Sequence, residues 1–414
     1  MLKKIGKISL FYKIMIGFAL GIIVGLIMGP DAAMFNFLGT ILIRLLKMVV
    51  APLILCLMVC TIGDVDDMKS FGSIGIKTVI TYVFLTFFAI ALGLGTALLL
   101  GVGKGVNIDT SGLEVAKETS FSFIKVITDM IPENIFAALS EPNLIQIIVF
   151  ALIFGFALTK VGEKGKIVLN VFQSLSVVMK KIVDIVLKFT PIGVFGLMAN
   201  TIGINGTAIL LPYAKCIIAV YVASFIQTVI IHGGVIGGLI CKVPPKRFLQ
   251  SSKEAMTFAF ATCSSVATIP LALQATKRLG VPDKISNFII TIGSNMSMDG
   301  IAIYQGVAVV FAAQIYGIDL TIGQYFLAMF ASTLASLGSA GVPGSGLITL
   351  SIVLSTVGLP LEAVGILAGV DRILNMGRIV PNVTADIATS LLVAKSEGTL
   401  DPNPQYDLSE AKGA

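Results

Sequence analysis

Charge is scarce in this chain. Lys, Arg, Asp and Glu together supply 13% of its 414 residues, where an ordinary soluble domain carries roughly a quarter. That shortage excludes a water-solvated surface all round. With 56% hydrophobic residues and a mean hydropathy of +0.97, the chain reads as an all-α polytopic membrane protein. Its formal net charge is +6, but in such a chain basic residues mark cytoplasmic loops and lipid headgroup contacts rather than a nucleic-acid surface. Histidine is nearly absent. With no second histidine to join it, His232 reads as a partly buried or interfacial polar residue rather than a catalytic or metal-binding one. The five cysteines (Cys56, Cys60, Cys216, Cys241, Cys263) lie in or beside apolar runs without paired ligand spacing, as small buried hydrophobes do, which argues against disulfides and zinc. Enzyme signatures are missing as well. GVPGSGL lacks the G-x-S-x-G frame, and LLLGVGKG lacks the spacing and the Ser/Thr of a phosphate loop, so neither catalysis nor an organic cofactor is expected.

Apolar sequence is abundant. About 20 residues cross a ~30 Å hydrocarbon core, and Leu10 to Met28, Phe37 to Gly63 and Ile74 to Val102 each qualify as a helix. The chain turns polar from Gly105 to Thr119. Leu144 to Leu158 is apolar but short, a broken or partly interfacial element, and Val161 to Lys166 reads as a charged loop. Two further helical regions follow, Ile167 to Ile202 and Ile209 to Ile240, the first holding TPIGVFGLM, where a helix could bend. CKVPPKRF, from Cys241 to Phe248, is the clearest internal boundary. MLKKIGK precedes the first run and no small-residue cleavage site follows it convincingly, so a retained helix with its lysines in the cytoplasm is expected. The polar tail is expected to be solvated.

Beyond that boundary the apolar segments are interrupted. FAFATCSSVATIPLALQA carries Ser264, Ser265 and Pro270; FLAMFASTLASLGSAGVPGSGLITLSIVL carries Gly338, Gly341, Pro343, Gly344 and Gly346. Backbone that leaves the helix at membrane depth needs protein or water to satisfy its polar groups, so these segments read as two re-entrant helical hairpins meeting near the midplane. A span with a carboxylate follows each, Asp299 after the first and Asp386 after the second. Hairpin, helix, hairpin, helix is a repeat, and paired interruptions of this kind point to a transporter's binding site.

The last span carries the densest polar pattern. Asp371, Asn375, Arg378, Asn382 and Asp386 recur at spacings of four, three, four and four, which is one helical stripe. Ionisable groups are costly inside a membrane segment and face a protein interior, a water-filled cavity or a ligand. Arg378 has the planar fork that grips a carboxylate bidentately and cannot lose its charge; an anionic substrate would compensate it, and the competing reading is an internal ion pair with Asp371 or Asp386. Asp299 and Asp386 call for a sodium ion held by carboxylates, Asn382, Ser297 and unwound carbonyls, or else for protonation. Either solution implies ion-coupled transport. An anion-conducting channel is the rival reading.

These motifs give the chain a resemblance to the glutamate/aspartate transporter family, the dicarboxylate/amino acid:cation symporters. It runs through RLLKMVVAPLI, TPIGVFGLM, CSSVATIP, SMDGIAIYQG, SAGVPGSG and DRILNMGRIVPNVTADI and covers nearly the whole length. The resemblance implies eight transmembrane helices, two re-entrant hairpins, inverted repeats, and a homotrimer whose protomers each move a transport domain like an elevator. The matching divisions are 1–73 (two scaffold helices), 74–166 (third helix and broken fourth), 167–246 (fifth and sixth), 247–396 (core transport domain) and 397–414 (tail). It also implies that Arg378 binds the distal carboxylate of the substrate and Asn382 its backbone-like end, with Ser265 and Val342 from the hairpin tips and the Gly341 to Gly346 segment as gate. One implied sodium site comprises Asp386 with carbonyls near Gly293 and Asn382. A second comprises Met298, Asn295 and the Ser336 to Ser339 backbone, and a third Tyr82, Thr86, Ser297 and Asp299.

The departures from the family pattern are specific. Asn375 stands where aspartate transporters place an acidic residue against the substrate's amino group, and Ile301 and Ile379 stand at positions that often carry threonine. This tilts the expectation toward a dicarboxylate. Leu85 replaces a threonine and Ser297 an asparagine around the third cation site, which has therefore lost oxygen ligands. Restoring an acidic residue is expected to shift selectivity: Asn375→Asp should move the aspartate-to-succinate preference toward the amino acid by about tenfold, the value of one charge-assisted hydrogen bond. Competition uptake checks this, and an unchanged ratio would remove the basis for the dicarboxylate tilt.

Overall fold

A computed structural model of the chain describes residues 10–63, 72–105, 128, 131–140, 144–337 and 345–401. The N-terminal lysines, the polar stretch 106–119, the second hairpin's tip at 338–344, with Ser339 and Val342, and the tail beyond 401 lie outside the described residues. Among the described residues the chain is helical, with no strand. In a chain this apolar, that is the arrangement in which every backbone N–H finds its acceptor within its own segment.

The first three helices, α1 (Leu10–Met28), α2 (Asn36–Gly63) and α3 (Ser73–Leu100), begin and end within a residue or two of the apolar runs. A short α4 (Ile135–Ser140) precedes α5 (Leu144–Val161). The charged loop expected at 161–166 reduces to one residue: Gly162, at φ 73°, turns the chain, and α6 starts at Glu163. α6 then continues through Pro191 to Asn205 as a single helix of 43 residues. The proline and its flanking glycines do not end it. α7 (Leu210–Phe225) continues as a wider π-type winding from Ile226 to Ile240.

The interrupted segments resolve into pairs of helices. α8 (Pro245–Thr262) and α9 (Ser265–Arg278) are separated by Cys263, in the left-handed region at φ 56°, and Ser264, whose side chain caps α9 by accepting from Ala267 N at 3.2 Å. Pro270 is accommodated inside α9. α10 (Asp283–Met296) and α11 (Asp299–Ile315) are split at Ser297–Met298; α12 (Ile322–Leu337) and α13 (Ser345–Val357) pack against each other. A short α14 (Glu362–Ala368) leads into α15 (Asp371–Ser396).

Two buried apolar clusters organise these helices. One runs from α1, α2 and α6 to α11, α13 and α14; the other joins α3, the 226–240 winding, α8, α9, α10 and most of α15. α15 enters both, Leu374 belonging to the first and Ile379 to Ala394 lying in the second. Large apolar side chains elsewhere, such as Ile80, Phe84, Leu99 and Leu211, are exposed, as lipid-facing residues are. Among the described residues, four helical stretches, Tyr12–Leu42, Ser73–Leu100, Gly206–Ile240 and Asp283–Ile315, are long and apolar enough to cross a membrane.

Small residues set the closest approach. Gly17, Gly21 and Gly25 of α1 face Pro191, Phe195 and Ala199 of α6, and a Cβ on Gly21 would stand 2.7 Å from Phe195 O and from Met198 Cβ. Backbone contact through a small-xxx-small stripe is how helices associate where no hydrophobic effect separates protein from lipid. Gly21→Leu is therefore expected to lose at least about 1–3 kcal/mol to overpacking and to lower the melting temperature of the detergent-solubilised protein. Gly95→Leu, where nothing lies within 4 Å of the added Cβ, should not; equal melting temperatures would contradict the packing role.

Candidate functional site

The stripe read from the sequence is a real face of α15, and it points inward. Asp371, Asn375, Arg378, Asn382 and Asp386 are all buried, Arg378 to 1% exposure. Arg378 Nη1 lies 2.9 Å from Asp371 Oδ1. Of the two internal pairings that the stripe allowed, the structure forms the one with Asp371. The pair is close but misaligned for a hydrogen bond: Arg378 Nε and Nη1 have no hydrogen-bond partner among the described residues. The guanidinium also sits 4.3 Å from the ring centroid of Tyr304 on α11, a cation–π contact that holds its plane. Gly346, in the first turn of α13, abuts the same group; a Cβ there would be 2.5 Å from Nη2. Arg378 thus lies between α11 and α13, with Nε and Nη1 unpartnered among the described residues. Buried orphan donors on a fixed charge are costly, and an anion with two acceptor oxygens would satisfy them.

Of the other implied substrate residues, Val342 lies outside the described residues. Ser265, in the first turn of α9, is buried with its hydroxyl unpartnered among the described residues. Arg372 donates to Ala261 O at 3.4 Å, which ties the tip of the first hairpin to α15. Asn375, Ile301 and Ile379 are buried.

Below Arg378, Asn382 binds the break in the α10–α11 span. Its Oδ1 accepts from Gly300 N at 2.7 Å and its Nδ2 lies 3.4 Å from Met298 Sδ. Gly300 packs against backbone: a Cβ there would fall 1.5 Å from Arg378 O. Only glycine fits. One turn further, Tyr82 Oη is 3.1 Å from both Asp386 Oδ1 and Ile289 O, and Gly293 lies so close to both side chains that a Cβ would collide with each. Tyr82 is thus joined to Asp386, whereas the family resemblance groups it with Asp299. Ser297 and Ser336 hydroxyls are buried without hydrogen-bond partners among the described residues. Asn295 lies on α10; its side chain is outside the described set.

Asp299 has other company. Thr86 Oγ1 donates to its Oδ1 at 3.0 Å, Gln227 Nε2 donates to its Oδ2 at 2.8 Å, and His232 Nε2 lies 3.1 Å from Oδ2. His232 is fully buried, not partly buried or interfacial as the sequence reading had it. Its lack of histidine neighbours was a poor guide because its partner is an aspartate 67 positions away. A local signal existed in QTVIIH, where Gln227, Thr228 and His232 interrupt an apolar run; all three are buried polar residues on one winding.

The sequence profile of the sodium:dicarboxylate symporter family matches residues 10–396 of this chain. The chain belongs to that family. Among its relatives, the proton/sodium-glutamate symport protein of Geobacillus stearothermophilus is 34% identical over 403 residues, 95% of each chain. The proton/glutamate-aspartate symporter of Escherichia coli K12 is 32% identical over 414 residues, covering 95% of this chain and 94% of the relative. The C4-dicarboxylate transport protein of Cupriavidus pinatubonensis is 33% identical over 404 residues, covering 94% and 93%. As a member of this symporter family the chain is a multi-pass membrane protein, and the buried stripe on α15 lies in its candidate site.

The tight contact at Gly346 gives a test of this symporter site. Gly346→Ala adds a methyl against the far end of a flexible side chain, so the fold should persist while the guanidinium shifts. Affinity for acidic substrates is expected to fall about tenfold, on the order of 1.4 kcal/mol. Equilibrium binding with a dicarboxylate panel measures it; wild-type affinity would show that Arg378 does not depend on Gly346 for its position.

Proposed function

We propose that this protein is a secondary active symporter that couples entry of a small anionic substrate, a C4-dicarboxylate or an acidic amino acid, to sodium. The observation that carries the reading is Arg378: a buried, permanently charged fork with unpartnered donors, between a hairpin arm and the broken α10–α11 span. The substrate's distal carboxylate replaces Asp371 as the better-aligned partner of the guanidinium. Asn382, Asn375 and Ser265 meet the other end, with Val342 and the rest of the second hairpin's tip closing over it, beside Ile301 and Ile379. Neutral Asn375 tilts the choice toward dicarboxylates. Sodium is held at Asp386 with carbonyls near Gly293, and at Met298, Asn295 and the Ser336 to Ser339 backbone. An anion that enters with several cations is also drawn by the membrane potential.

The architecture proposed for this activity has eight transmembrane helices and two re-entrant hairpins in inverted repeats. The N-terminus is cytoplasmic, three copies form a trimer, and residues 247–396 with the third helix move as an elevator against a lipid-embedded scaffold. A proton-coupled carrier on the same fold is the second reading, favoured by relatives whose names give protons beside or instead of sodium.

Purified protein in liposomes separates these readings. Uptake of succinate, fumarate, malate, aspartate and glutamate is measured with a sodium gradient, and with choline replacing sodium at two pH values. Concentrative uptake is expected that collapses without sodium; uptake driven by pH alone would favour the proton carrier, and purely passive flux a channel. Arg378→Ala is expected to abolish uptake of every substrate in the panel, and retained transport would sink the anion-anchor role.

A further inference from the structure

The buried surroundings of Asp299 differ in kind from those of Asp386. A sodium ion is a hard cation that needs several oxygen lone pairs converging on one point. Asp386 has a hydroxyl neighbour, Tyr82 at 3.1 Å from Oδ1, and lies beside the backbone of the α10–α11 break. Asp299 likewise has a hydroxyl at Oδ1, but its Oδ2 is met by two nitrogens. Gln227 gives an amide N–H to Oδ2 at 2.8 Å, His232 Nε2 stands 3.1 Å from the same oxygen, and Thr86 gives its hydroxyl hydrogen to Oδ1 at 3.0 Å. Asp299, Gln227, His232 and Thr86 are each 0% exposed, so no water-filled space separates them from the rest of the fold.

The donors are held from behind. His232 Nδ1 lies 2.9 Å from Thr384 Oγ1, and with Nδ1 accepting that hydroxyl's hydrogen the proton of the neutral ring sits on Nε2, directed at Asp299 Oδ2. The imidazole is therefore pinned between α15 and Asp299. Gln227 Nε2 also lies 3.2 Å from His232 Nε2. Its amide cannot turn Oε1 toward a cation at Oδ2 without losing its bond to the carboxylate. Leu85, where the family pattern has a threonine, adds a buried alkyl group instead of an oxygen.

We infer that the position around Asp299, which family resemblance assigns to a third cation, is filled in this chain by the side-chain donors of Gln227 and His232 and carries no co-transported cation. Gln227 and His232 are thus residues that set the ion count. A carboxylate that accepts several hydrogen bonds from fixed donors is stabilised without a counter-ion. The substrate then travels with one cation fewer than a member whose third site is intact. This rests on the sodium-coupled reading proposed above.

The test counts sodium directly. Radiolabelled sodium bound per protomer is measured by equilibrium dialysis on the full-length protein in nanodiscs, with saturating succinate or aspartate, for wild type and three variants. In Asp299→Asn the Gln227 amide can flip, giving its unpartnered Oε1 to the new amide. Thr86→Val keeps shape while deleting a ligand oxygen, and serves if Asp299→Asn fails to fold. Both are expected to bind as many sodium ions as wild type, whereas Asp386→Asn should bind roughly one fewer. A loss of about one ion in Asp299→Asn or Thr86→Val overturns the inference. A wild type that binds no sodium refutes the sodium-coupled reading while agreeing with an Asp299 position that carries none.

Discussion

An arginine that cannot shed its charge, buried to 1% exposure in a chain built for hydrocarbon, is the constraint on which the rest of the site depends. Removing such a charge from water costs several kcal/mol even after relaxation. Asp371, one full stretch of stripe away, cancels the charge without saturating its donors, and Tyr304 covers its face. The result is a guanidinium whose charge is balanced while Nε and Nη1 lack a hydrogen-bond acceptor among the described residues. Tighter pairing with Asp371 would have made a structural ion pair. The absence of any pairing would have left the helix hard to insert.

Around this charge the polar groups divide into zones along α15. Arg378, paired with Asp371, contacts α11 and α13, Asn382 reaches the backbone break at Met298 and Gly300, and Asp386 meets Tyr82 and Gly293. These zones share one helix and one broken span, so a buried cationic group and two buried carboxylates are held by the same two elements. α15 also enters both apolar clusters, so its polar face is framed by packing on either side rather than by lipid.

Much of this was legible in the sequence, for identifiable reasons. Helix ends in α1 to α3 follow from where apolar runs stop, and the stripe follows from helical periodicity with few competing polar residues. The break near Ser264 was signalled by a serine pair within an apolar run, whereas the interruption read at 338–344 lies outside the described residues. Two features were not readable. α6 runs unbroken through Pro191 and begins almost at the end of α5, because one glycine suffices for the turn and packing against α1 and α2 sustains the helix past a proline. The surroundings of Asp299 escaped because hydrogen bonds between residues 86, 227, 232, 299 and 384 are set by tertiary structure, and no local period brings those positions together.

The contact between Gly300 and the carbonyl of Arg378 restricts how such a site can diverge over time. A side-chain obstacle can be repacked, but a backbone carbonyl on a buried helix cannot, so any larger residue at 300 displaces the anchor itself. Variation that leaves this packing intact is thereby channelled away from position 300, where the obstacle is main chain, to positions where a side chain can be exchanged without moving a backbone.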